Sequence, residues 1–207
     1  MVDFKIDPKR TALLVFDMIN DFVKKGAPFA TPEALEIIPR LKKLIEHCRS
    51  KKIPVIYACQ VHRPDCSDMG LLADIWPPIK EKKGLIQGTE GVEVYNEIKP
   101  KGGDIIVWKH RYSAFYNTDL EIILRNKGVD TLIITGGTMN IGCETTARDA
   151  LNRDIRVVFP SDGNIYHDIP DMGWGVVKRE EIAKVVLSTI NMAIGKVTTI
   201  SQLIAEI

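Results

Sequence analysis

The chain is easiest to read first through what it lacks. None of its four cysteines, Cys48, Cys59, Cys66 and Cys143, forms a Cys-x-x-Cys pair, which leaves out thiol zinc knuckles and dithiol redox motifs. At 207 residues a core can form without disulfide staples, so reduced intracellular thiols are expected. Charge of one sign is missing too. The net charge is +1 and no basic stripe gathers anywhere, which argues against nucleic acid as a partner. No apolar run approaches membrane-spanning length, and the start, Met1-Val-Asp-Phe-Lys-Ile-Asp7, has no signal-peptide pattern. With no repeat and no low-complexity linker, the expectation is one cytoplasmic globular domain over residues 1–207 that touches no membrane.

What is present alternates. Thr11–Phe16 is a continuous apolar run ending at Asp17, as in a parallel strand buried on both faces. A helix is predicted from about Pro32, with Thr31 as N-cap and Leu35, Ile38, Leu41, Leu44 and Ile45 at helical spacing. Further strands are predicted at Ile53–Ala58, Ile105–Trp108, Leu132–Thr135, Arg156–Phe159 and, at an edge, Lys196–Ile200. Helices fall at Asp119–Asn126, Glu144–Ala150 and Glu180–Ala193, and 60–83 is irregular. This pattern predicts a three-layer α/β/α fold around a mostly parallel, Rossmann-like sheet.

The stretch from Thr131 to Ala150 is central. A strand broken by Gly136 and Gly137 turns straight into a helix, which aims backbone N–H groups and a positive helix end at one spot. Such a spot suits an anion, an oxyanion or an activated thiol, although strand–Gly–helix turns with a buried cysteine are also ordinary connections. Sites in open parallel sheets form outside the carboxyl ends of the strands, where Asp17, Gln60, Lys109 and the 136–143 turn all fall. A carboxylate and a lysine together there suggest acid/base chemistry, with Asp17 moving the proton and Lys109 as its electrostatic partner.

Three segments carry a family resemblance. Leu13-Leu-Val-Phe-Asp17-Met-Ile-Asn-Asp-Phe22, Lys109-His-Arg-Tyr-Ser-Ala-Phe115 and Thr135-Gly-Gly-Thr-Met-Asn-Ile-Gly-Cys-Glu-Thr-Thr-Ala-Arg-Asp-Ala150 resemble the isochorismatase-like hydrolases, also called the cysteine hydrolase superfamily. The resemblance implies a six-stranded parallel sheet, homodimers or larger oligomers, and hydrolysis of a small molecule. It also implies an Asp–Lys–Cys catalytic set of Asp17, Lys109 and Cys143, with a cis peptide at Gly137–Thr138. Gln60, Gly137, Thr138 and Gly142 are expected to meet the substrate. No cofactor is implied. The metal-binding nicotinamidase-type members use an Asp-x-His pair, and Gln60-Val-His62 stands there instead, so no metal is expected and His62 is expected to line the pocket.

One position departs from the pattern. Matched without a gap, the family's nucleophile falls on Gly142; a one-residue slip selects Cys143 but rotates the apolar face of the next helix out of register. The ungapped frame resembles the true isochorismatases, which lack the nucleophile and cleave a vinyl ether with the aspartate as acid. Met69 and Thr138 stand where that group tends to place arginine and tyrosine, and Gly88-Thr-Glu-Gly-Val-Glu-Val94 looks more like the amide-cleaving members. Metal-independent hydrolysis of a vinyl ether or small amide is the first reading. A Cys143 amidohydrolase and a non-catalytic binding oligomer stay open beside it.

Overall fold

The computed structural model describes residues 1–207. Six strands form one sheet: β1 Thr11–Phe16, β2 Val55–Gln60, β3 Ile105–Lys109, β4 Thr131–Gly136, β5 Arg156–Pro160 and β6 Gly195–Thr198. Their spatial order is β3-β2-β1-β4-β5-β6 and every pairing is parallel. Every residue of β1, β2 and β4 is buried, because parallel strands are covered on both faces. Alternate residues then feed two separate cores. Leu13, Val15, Tyr57, Ile133 and Val158 pack on one side against helices α1 Ala34–Ser50 and α5 Ile200–Glu206. Leu14, Phe16, Ala58, Ile134 and Phe159 pack on the other against α2 Leu120–Asn126, α3 Glu144–Leu151 and α4 Arg179–Ala193. No helix is long and apolar enough to cross a membrane.

Most predicted boundaries move by one or two residues, and three differences bear on the architecture. β2 starts at Val55, not Ile53, and runs on to Gln60, so that glutamine is the last residue of the strand. The sixth strand stops at Thr198, because Thr199 and Gln202 form a reciprocal capping box that starts α5 at Ile200. Thr31 does not cap α1: its hydroxyl donates to the Phe29 carbonyl, and Glu33 holds the capping position without a side-chain bond. Leu35 is correspondingly exposed and outside the apolar stripe of that helix.

The order places β1 beside both β2 and β4, with connections leaving to opposite sides. A crevice opens at such a switch point beyond the carboxyl ends of the strands. Gly136 lets the two ends come together there. It sits at φ +105°, and a Cβ on it would lie 2.1 Å from the Phe16 carbonyl oxygen, so only glycine allows β4 to leave so close to β1.

Candidate active site

Asp17 directly follows β1 in a left-handed conformation, φ 50°, which turns its side chain across the sheet edge. One carboxylate oxygen accepts the Gln60 backbone N–H at 2.7 Å; the other lies 2.7 Å from Lys109 Nζ. Lys109 points inward because Val107, two residues earlier, faces the same core. Its ammonium also donates to Gln60 Oε1 at 2.7 Å and to the Arg111 carbonyl at 3.3 Å, and rests 4.3 Å above the Phe16 ring. With three donors and three acceptors, Lys109 has no proton left for a substrate. The pairing neutralises the Asp17 carboxylate and fixes its orientation. Burial pushes the Asp17 carboxyl above the usual carboxylate range, and the nearby ammonium and the Gln60 N–H only partly pull it back. A carboxyl held protonated to higher pH is suited to act as an acid.

The 136–143 turn closes over this pair. The Gly137–Thr138 peptide is cis, and Met139–Cys143 forms a wide helical turn leading into α3. Gly142 lies directly against Phe16. A Cβ added there would sit 2.3 Å from the ring's Cε1 and 2.6 Å from Cζ. The aromatic ring therefore occupies the room into which a side chain at 142 would project. Cys143 is fully buried, in the same apolar core as Met139, Ala147 and Phe159. Burial raises its thiol well above the ordinary value, the Asp17 carboxylate adds to this, and Lys109 does not reverse it.

These groups form one end of a cavity of about 590 Å³. Asp17, Gln60, Lys109, Gly137, Thr138 and Gly142 all line it, and Cys143 does not. Thr138 lines the cavity, and its backbone N–H makes no hydrogen bond within the protein. The remaining walls are largely apolar: Phe22, Phe29, Leu72, Ile79 and Ile141, with Trp76 donating to the Tyr112 hydroxyl at 2.9 Å. Several of these walls were not predicted, since aromatics from four separate segments share no spacing in the chain. Lys109 is the only lysine or arginine on the cavity walls, with His167 beside it, against Asp17, Glu33 and Asp168.

The histidines fall differently from expectation. His62 does not line the cavity; it is fully buried behind Gln60, with its Nε2 3.1 Å from the Gln60 amide nitrogen. His110 turns from the site as a strand alternation requires, toward the Val61 carbonyl and Asp68. His167 does line the cavity. Cys48 and Cys59 are buried, with thiols raised by burial. Asp21, missed by the sequence reading, is a buried carboxylate without a cation. It accepts the Leu85 N–H at 2.6 Å and so ties one cavity wall to the segment after β1.

A parallel α/β sheet with a lysine-paired carboxylate at its switch point defines a small-molecule site of the doubly wound class. Within that class the isochorismatase domain matches residues 11–171, and the chain belongs to this family. It is 38% identical to the isochorismatase of Bacillus subtilis over 75% of this chain and 48% of that protein. It is 32% identical to the N-carbamoylsarcosine amidase of an Arthrobacter species over 74% of this chain and 58% of that one. The chain thus spans about half the length of these curated relatives. A solved cysteine hydrolase from Pseudomonas syringae pv. phaseolicola superposes with a TM-score of 0.95 at 36% identity, covering 99% of this chain and 95% of that one.

Proposed function

We propose that the chain hydrolyses a small metabolite without a protein nucleophile and without a metal, with Asp17 as the acid and Lys109 as its fixed electrostatic partner. The observation that carries this reading is the Phe16 ring filling the space in front of Gly142 while Cys143 lies outside the cavity. The bond best suited to such a site is a vinyl ether of the isochorismate type. A proton passed from Asp17 to the terminal vinyl carbon leaves an oxocarbenium ion. Water adds to that cation, returns a proton to Asp17, and the hemiketal breaks to a 2-oxo acid and an alcohol. One water is consumed and no covalent enzyme intermediate forms. The Thr138 N–H is suited to support the leaving alcohol oxygen as the hemiketal breaks, and the apolar walls exclude bulk water.

A second reading, hydrolysis of a small uncharged amide, is favoured by charge. The single lysine on the cavity wall is already paired with Asp17, Asp168 is paired with Lys178, and Glu33 has no cation, so a dicarboxylate meets no free lysine or arginine. Turnover of isochorismate, N-carbamoylsarcosine and nicotinamide by the wild type, Asp17→Asn and Cys143→Ala separates the readings. Unchanged turnover in Asp17→Asn, or complete loss on stoichiometric alkylation of Cys143, overturns the proposal.

The same reading takes the protein as a homodimer or larger. Leu71 and Ile75 in the 65–78 stretch, and Met172 and Trp174 in the 166–176 stretch, stand exposed, Trp174 at 94%.

A further inference from the structure

We infer that His62 is a positioning residue: through the Gln60 amide it holds Lys109 in place against Asp17. The inference rests on Asp17 and Lys109 being the reacting pair, and it follows from counting donors and acceptors behind that pair. Lys109 can only donate, so Gln60 must present its oxygen to the ammonium, at 2.7 Å. The amide nitrogen is thereby turned toward His62, 3.1 Å from Nε2. An amide NH₂ also only donates, so Nε2 must be the bare, accepting nitrogen, and the neutral ring carries its proton on Nδ1. That Nδ1 lies 3.5 Å from Asp68 Oδ1 without a hydrogen bond, inside a residue with no exposed surface. The tautomer of His62 and the orientation of Gln60 thus require each other, and Gln60 supplies one of the three acceptors of Lys109.

Protonating His62 breaks this chain. Nε2–H would then face the Gln60 NH₂, two donors in contact in a buried place. Turning the amide over relieves that clash only by bringing its nitrogen against the Lys109 ammonium. Either way Lys109 loses a partner and Asp17 its fixed geometry. The groups around the ring act in both directions. Burial holds the imidazole below its ordinary value, Asp68 opposes this, and His110 and Arg111 reinforce it. Asp68 is shared: its other oxygen lies 2.9 Å from His110 Nδ1, and Arg111 donates to its backbone carbonyl. The neutral ring is therefore the resting form at neutral pH. The Nδ1 edge of His62, opposite the edge that meets Gln60, faces Asp68, and any cation bound to that nitrogen would force the ring proton onto Nε2.

Two measurements test this, one independent of turnover. Nitrogen-15 NMR of the intact protein with labelled histidine is expected to show His62 protonated on Nδ1 and bare on Nε2 at neutral pH. The opposite tautomer overturns the inference, as does stoichiometric zinc or manganese bound by the purified protein through His62 Nδ1. In the turnover arm, with isochorismate as the probe, His62→Leu is expected to lower kcat about tenfold with little change in KM, the worth of one lost buried hydrogen bond. His62→Gln keeps an acceptor that does not titrate. It is expected to retain kcat within about threefold and to lose the acidic limb of the wild-type pH profile. If His62→Gln falls as far as His62→Leu, or keeps that limb, the residue is merely structural. Failure to turn over isochorismate at all strikes the proposed function and leaves the tautomer result to decide the positioning chain.

Discussion

Two groups at the same sheet edge, Asp17 and Cys143, are both buried, and burial raises the pKa of each. Their surroundings separate them. Asp17 has a cation at 2.7 Å, a backbone donor at 2.7 Å and a face on the cavity. Cys143 lies in an apolar core, makes no ion pair or hydrogen bond through its thiol, and has no face on the cavity. Burial without a partner makes a cysteine inert; burial with a partner and an outlet makes a carboxyl usable. The difference begins at one residue, since the helix that starts at the turn sends positions 142 and 143 to different sides.

The strongest way to break this contrast is Asp17→Asn, expected to lower kcat by about 10³-fold, the scale of positioned acid catalysis. Retained turnover would make Asp17 a structural group. A pH profile sharpens the same claim. Because burial raises the Asp17 pKa, the protonated form persists above the ordinary carboxylate range, and kcat is expected to fall about tenfold per pH unit beyond the shifted value. The folded state holds this proton more tightly than the unfolded chain. Its contribution to stability is therefore fully present at low pH and lost as pH rises through the folded value. A rising alkaline limb would assign Asp17 the role of base.

On the turn side, Gly142→Cys is expected to fail as a rebuilt nucleophile and to cost about 1–3 kcal/mol of stability, the range for overpacking against Phe16. Denaturant unfolding measures the cost. A stable, rapidly alkylated variant would show that the ring yields. The smallest effect belongs to Cys143→Ala, expected to leave turnover within about twofold while removing about 1 kcal/mol of packing. Light scattering at micromolar concentration is expected to report a dimer or larger, and a monomer would leave the exposed Trp174 and Leu71 stretches unexplained.

Much of this was legible in the chain because strand ends are local. Apolar runs that stop at Asp17 and Lys109 fix where those residues fall, and the parallel order brings them together. Gly142 against Cys143 was legible only as two frames, since a one-residue choice at a helix start depends on which neighbour fills the space, and that neighbour, Phe16, lies 126 positions away (142 − 16). His62 was misplaced for a similar reason. Its position in the chain resembles a pocket residue, but its burial follows from Gln60 being drawn inward by Lys109. The mistaken cap at Thr31 is a local competition, in which the hydroxyl turns back to Phe29.

The lysine of the site sits on β3, at the margin of the sheet, with β2 on one side only. Its strand shows Ile106 and Trp108 to the outside, exposed at 40% and 46%, while β1 and β4 lie wholly inside. Local opening starts at such margins, because few contacts are lost there. The carboxyl therefore stands on the most durable strand and its counter-charge on one of the least. Mild heat or denaturant is expected to silence the proposed hydrolysis before the fold melts: hydrogen exchange should release the β3 amides ahead of those of β1 and β4, and turnover should track β3.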